Sequence, residues 1–234
     1  MFDISFAEKA FPKILEVAPV TILLSIVSII IGLILAIIVV VIREKKIPGL
    51  NQFVGILVSF IRGTPMIVQL YVVYYGLPQL LVMLKDSGFN TSLTGVPAMI
   101  IAITAYSLNA MANLSESIRA AYNSVDKGQY EAAISVGMRP SVALIKIVIP
   151  QLISNLIPNL SNIFVDLIKD TALVYNIGIV EIMAKANIIS SIGFKYIETY
   201  IDALIIYVLI CLLFSKLFQV VEIVVRKKVF HAVS

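Results

Sequence analysis

One cysteine, Cys211, and one histidine, His231, are the only members of the two residue types richest in metal and redox chemistry in this 234-residue chain, and tryptophan is absent. A single thiol excludes an internal disulfide, and a lone thiol with a lone imidazole excludes a Cys/His metal cluster. There is no HExxH string, no nucleophile elbow and no glycine-rich phosphate loop, so neither hydrolytic nor nucleotide-binding chemistry is written into the chain. Charge is scarce as well: 14% of residues are charged against 60% hydrophobic. No stretch outside the apolar runs is long enough to bury an aqueous core. The formal charge of +4 does not mark a nucleic-acid surface, because the basic residues are scattered at the ends of apolar runs and not gathered on one face.

What the chain has is hydrophobic length. A bilayer core about 30 Å thick takes about 20 apolar residues of helix at a rise of about 1.5 Å each. Five segments answer to this: 19–42, 51–84, 96–122, 150–168 and 200–225. The expectation is an all-α, polytopic membrane helical bundle, one transmembrane unit over 1–234. Residues 1–18 alternate Phe2, Ile4, Phe6, Phe11, Ile14 and Leu15 with acids and lysines, an interfacial amphipathic pattern; the acidic lead-in is unlike a signal peptide. The second segment is too long for one straight crossing and is interrupted by Arg62-Gly63-Thr64-Pro65. A broken hydrophobic segment is a pointer to a transport site. A polar link over 85–94 follows, and 169–199, partly apolar with Gly178 and Gly193, reads as short helices dipping into the membrane edge.

Five crossings place the termini on opposite sides. With the polar loop at 127–147 in the cytoplasm, Arg43, Lys45, Lys46, Arg119, Lys127, Arg139, Lys146, Arg226, Lys227 and Lys228 all lie inside; the opposite orientation leaves mainly Lys9, Lys13, Lys85, Lys185 and Lys195 there. The positive-inside bias therefore predicts an external N-terminus and a cytoplasmic C-terminus.

Three polar features interrupt the apolar pattern. Arg62 inside a hydrophobic segment must find a partner, snorkel or face water. Gly63 and Pro65 beside it weaken the helix and free backbone groups that protein, water or ligand must satisfy. The alternative is a kinked helix with an interfacial arginine. In the fourth segment Asn155, Asn159, Asn162, Asp166, Lys169 and Asp170 recur at steps of three and four, as do Asn109, Asn113 and Glu116 in the third, with Arg119 one turn on. Such stripes face protein or water, and each residue is open to two roles, solute contact or interhelical hydrogen bonding. For Glu116 and Arg119 the pairing role is preferred. The seam Thr21, Ser25, Ser28, Gly32, Ala36 in the first segment reads as close helix packing. Third is the loop itself, GQYEAAISVGMRPSVALIK over Gly128 to Lys146, where Gly137 can end one short helix and Pro140-Ser141 start another.

That loop resembles the EAA loop of ATP-binding-cassette importer permeases, through Glu131, Ala132, Ala133, Gly137, Ile147 and Pro150, with Ile149 where the family usually has leucine. The string Arg62-Gly63-Thr64-Pro65 with Val68 and Gln69 is similar to the RGTP-x-x-VQ signature of the polar amino acid uptake subfamily (histidine, glutamine, arginine or cystine type). Glu116 with Arg119, and Lys169-Asp170-Thr171, fit the same pattern. The resemblance implies a permease subunit in the bacterial inner membrane, with no catalytic residue, no metal site and no cofactor of its own. ATP and Mg would belong to two ATP-binding cassette subunits. A second permease copy or homologue and an extracytoplasmic amino-acid-binding protein would complete the assembly. It implies substrate-binding roles for Arg62, Gly63, Thr64, Pro65, Gln69, Asn113, Asn162, Asp166, Asp170 and Thr171, and ATPase coupling through Gly128, Glu131, Ala132, Ala133, Gly137 and Arg139. Asp166 or Asp170 would hold an α-ammonium and the N–H groups near Gly63 and Thr64 a carboxylate. Two other readings remain at this point: a secondary transporter or channel using Asp166, Lys169 and Asp170 as an ion path, and a membrane scaffold that transports nothing.

Overall fold

The computed structural model describes residues 2–87 and 96–233, the last five by backbone alone. The link expected over 85–94 thus lies largely outside the described residues, as does the His231 side chain. Every element among them is helical.

Helix α1, Ile4–Leu15, begins at Asp3, whose side chain accepts the Phe6 N–H at 3.1 Å. That bond, joined by the Lys195 ammonium 3.4 Å away, holds the Asp3 carboxyl below its ordinary range. Ala10 and Ile14 are buried, and α1 packs on two helices from the far end of the chain, α9 (Ile182–Gly193) and α10 (Tyr196–Val233).

Helix α2, Ala18–Glu44, carries the small-residue seam, and all five of its members are buried. Its partner is α5, Ala98–Asn123, in the most extensive helix contact of the bundle. A Cβ built on Gly32 would stand 2.5 Å from the Ala110 Cβ, so only glycine allows this approach. More than half of the most apolar stretch of α5, 56%, is buried, against 11% for α10 and for the helix Met66–Asp86. Helix α5 is therefore the axis about which the others are arranged.

The long second segment is two helices, α3 (Leu50–Arg62) and α4 (Met66–Asp86), parted at Gly63-Thr64-Pro65. With 13 residues α3 extends about 20 Å, short of a bilayer core. After α5 come the short helices α6 (Lys127–Ser135) and α7 (Pro140–Ala143), and a π-helical stretch, Leu144–Val148, that runs into α8 (Ile149–Asp170). The π turn was not expected. Its widened ladder, with the Ile149 N–H on the Leu144 carbonyl, suits a segment where Pro150 offers no N–H to Lys146. A 3-10 turn, Thr171–Ile177, and α9 occupy the expected non-spanning region. Glu181, wholly buried, caps α9 by accepting the Ala184 N–H at 2.9 Å, and takes a hydrogen bond from Tyr207 of α10. Among the described residues, five helical stretches are long and apolar enough to cross a membrane.

Candidate functional site

The break between α3 and α4 is closed by the Gln69 side chain together with the Thr64 N–H, which reaches the Ile61 carbonyl at 3.3 Å. Pro65 has no N–H for the Ile61 carbonyl, which a continuous helix would pair four residues on. Instead Gln69 Nε2 donates to Ile61 O at 2.7 Å and to Thr64 O at 2.8 Å. Its Oε1 accepts Asn109 Nδ2 of α5 at 3.1 Å, and Asn113 Nδ2 in turn donates to the carbonyl and side-chain oxygens of Asn109. Gln69 is buried with its amide fully engaged. The Thr64 hydroxyl donates to Phe60 O at 2.7 Å. Arg62, Gly63 and Pro65 stay exposed. Glu116 pairs with Arg43 at the end of α2 and, at 3.5 Å, with Arg119.

Four residues of α5 thus form one stripe, Tyr106, Asn109, Asn113 and Glu116, and each is committed to a neighbour. Tyr106, one turn before Asn109, donates its hydroxyl to the Asp170 carbonyl at 2.6 Å, which anchors the end of α8. The helix break and the end of α8 consequently meet α5 within about 5 Å of each other along its axis. Asp166, exposed on the preceding turn of α8, pairs with Lys169 at 2.7 Å, and Asp170 is half-buried. Thr171 is wholly buried with its hydroxyl on Ile168 O at 2.6 Å, inside the bundle. Asn162 is exposed and lines a cleft between α8 and α10, apart from the Gln69 network. The Tyr106 and Arg43 contacts had no sequence signal of their own, although Tyr106 continues the three-and-four spacing of the Asn109 stripe.

The polar loop is a helical elbow. Asp126 caps α6 by accepting the Gly128 N–H at 2.8 Å. The helix closes with Met138 N–H on Ala133 O at 3.1 Å and Gly137 at φ +85°, a left-handed position where a side chain is strained. Arg139 then precedes Pro140, which starts α7. Ala133 faces inward and is buried, while Glu131, Ala132 and Val136 are exposed. The Glu131 carbonyl accepts the Ser135 hydroxyl at 2.9 Å, while the Glu131 side chain makes no hydrogen bond or ion pair among the described residues and borders a cleft of ≈ 450 Å³ with Tyr122, Lys127, Pro140 and Leu144. The elbow is tied to α8 at two points: Gln151 donates to Gln129 of α6, and Asn155 donates to Ser124 at 2.8 Å, just before it. From Gln151 the same helix continues for about 29 Å to Asp166 and Asp170.

Residues 28–227 match the family described as binding-protein-dependent transport system inner membrane component. The chain is 38% identical to a probable amino-acid permease protein, YxeN, of Bacillus subtilis, covering 94% of each. It is 40% identical to the L-cystine transport system permease protein TcyB of the same organism, over 86% of this chain and 82% of that one. A solved structure, described as an amino acid ABC transporter with histidines, superimposes with a TM-score of 0.82 at 32% identity over 95% of this chain and 98% of that one.

Proposed function

Since this chain belongs to the family of binding-protein-dependent transport system inner membrane components, we propose that it is the permease subunit through which an ATP-driven importer moves an amino acid across the bacterial inner membrane. Family membership sets aside the secondary-transporter and scaffold readings. The cargo class is supported by the amino-acid and L-cystine transport named for relatives covered over most of their length, and by a site with both ends an α-amino acid needs. The observation that carries the reading is the stripe on α5, which holds the broken helix and the carboxylate-bearing end of α8 side by side. Asp166 or Asp170 accepts the α-ammonium, and the exposed Arg62 beside the break receives the carboxylate, the Gly63 and Thr64 N–H groups being already bonded to Ser59 O at 3.0 Å and Ile61 O at 3.3 Å.

Energy comes from partner chains. Two ATP-binding cassette subunits hold ATP and Mg and seat on the elbow, with Gly128, Glu131, Ala132, Ala133, Gly137 and Arg139 shaping the contact. A second permease copy or homologue completes the path, and an extracytoplasmic binding protein delivers the solute. The N-terminus lies outside and the elbow and C-terminus inside, as the basic residues favour. When nucleotide draws the ATPases together, each elbow moves with its ATPase. Because α8 is hydrogen-bonded to the elbow at Gln129 and to Ser124 just before it, the displacement passes along this helix, through its interior Pro158, to the solute residues. Nucleotide drives the exchange of access through its different affinity for the two states.

The test is solute uptake by the reconstituted assembly carrying Asp170→Asn or Arg62→Gln. Each is expected to raise the solute concentration for half-maximal uptake by about tenfold, the loss of one charge-assisted or closely placed hydrogen bond, with the ATPase subunits still bound. Unchanged kinetics in both would remove this pocket.

A further inference from the structure

Glu181 is a buried charge that the transport mechanism above leaves without a task. It is wholly buried, no other charged side chain among the described residues lies as deep, and it enters no ion pair among them. Capping α9 does not require it, because a neutral Ser, Thr or Asn serves that position as well and buries no charge. What a glutamate adds is a second oxygen and a longer reach. One oxygen accepts the Ala184 N–H at 2.9 Å, and the other accepts the Tyr207 hydroxyl of α10. Glu181 therefore joins the start of α9 to a spanning helix.

The chain between Asp170 and Glu181 is short: the seven residues of the 3-10 turn and three more, Gly178, Ile179 and Val180. Both of its ends are held by a tyrosine hydroxyl from another helix, since Tyr106 of α5 donates to the Asp170 carbonyl at 2.6 Å and Tyr207 donates to Glu181. Its middle is fastened as well. Tyr175 donates to Asn187 Oδ1 of α9 at 3.1 Å, and Asn187 Nδ2 donates to Tyr200 of α10 at 3.0 Å. Asp170 is thus fixed from α5 on one side and, through this turn, from α10 on the other. A site whose groups stand in place only part of the time binds more weakly by that fraction, so the fastening to α10 bears on solute affinity and not on folding alone.

We propose that Glu181 is a positioning residue for the solute site: through Tyr207 it fixes the turn that follows Asp170, and so sets where Asp170 and Thr171 stand. This role presupposes that Asp170 holds solute, as read above.

Binding of a radiolabelled L-amino acid, the one that stabilises wild type most, is measured on the assembled transporter in mild detergent, without the binding protein and well below the thermal midpoint. Tyr207→Phe removes the hydroxyl alone and is expected to raise the dissociation constant about tenfold, the worth of one hydrogen bond to a buried charge. Glu181→Ser keeps a cap but does not reach Tyr207, and should weaken binding to the same degree; the two together should weaken it no further. Glu181→Gln, with an oxygen for the Ala184 N–H and an amide for the Tyr207 oxygen, should bind as wild type does. Tyr196→Phe, on the same helix and with no hydrogen bond from its hydroxyl among the described residues, leaves binding unchanged. A purely structural clasp would lower the thermal midpoint of Tyr207→Phe and leave its dissociation constant as it was, which overturns the proposal. Additive losses in the double variant, or an equal loss in Tyr196→Phe, overturn it too. Asp170→Asn is measured beside them. If it weakens binding while Tyr207→Phe does not, the positioning role alone falls; if it too leaves binding intact, the solute role of Asp170 falls and takes the positioning role with it.

Discussion

Gln69 concentrates the local physics of this chain. A proline that frees a carbonyl inside a membrane demands a replacement donor, and one buried amide supplies it to two carbonyls while accepting a third bond from α5. Gln69→Leu leaves both carbonyls without that donor and is expected to destabilise the bundle by about 1–3 kcal/mol. The thermal midpoint of the purified assembly should fall, and uptake with it. An unchanged midpoint would mean that water or another group serves the break equally well. The break itself was legible in the sequence because the restrictions of Pro65 and Gly63 travel with the residues. The employment of Gln69 was not, since its partners lie eight residues back and forty residues on, and spacing alone cannot choose between solute and neighbour. The same ambiguity attends Asn113, held by Asn109, and Thr171, whose burial depends on how the chain turns after α8.

Among the elements, hydrophobic length located α2 and α5 to within a few residues, at Ala18–Glu44 against an expected 19–42 and at Ala98–Asn123 against 96–122, whereas α10 runs Tyr196–Val233 against an expected 200–225. The small-residue seam of α2 was readable as packing because close approach needs small side chains wherever the partner lies. The π turn before α8 and the Glu181 cap on α9 were not readable, because both answer to tertiary contacts. In the elbow, Gly137 joins two short helices at a positive φ. Gly137→Val forces a β-branched residue there at a cost of about 1–2 kcal/mol, confined to the exposed turn. Solute-stimulated ATP hydrolysis by the assembly is expected to fall several-fold while the thermal midpoint of the bundle stays near wild type. Full stimulation in this variant would show that the angle between α6 and α7 does not carry the coupling.

At the scale of the whole molecule, the elbow and the carboxylates proposed to hold solute occupy opposite ends of α8, and Gln151 and Asn155 hydrogen-bond that helix to the elbow and to Ser124 just before it. The family was legible in the sequence because its motifs sit where backbone geometry leaves little choice, at the Pro65 break and the Gly137 turn. The identity of the amino acid was not, since a permease recognises its cargo with few groups, most of them doubling as helix contacts. The central claim is that a nucleotide-driven subunit grips the elbow and moves it. It is tested most directly by placing a photo-crosslinker at position 132, exposed on α6, in an assembly accumulating amino acid under ATP. The account predicts an adduct with the ATP-binding subunit whose yield changes between nucleotide-free and nucleotide-trapped states; accumulation that proceeds with no such adduct in any state would contradict it.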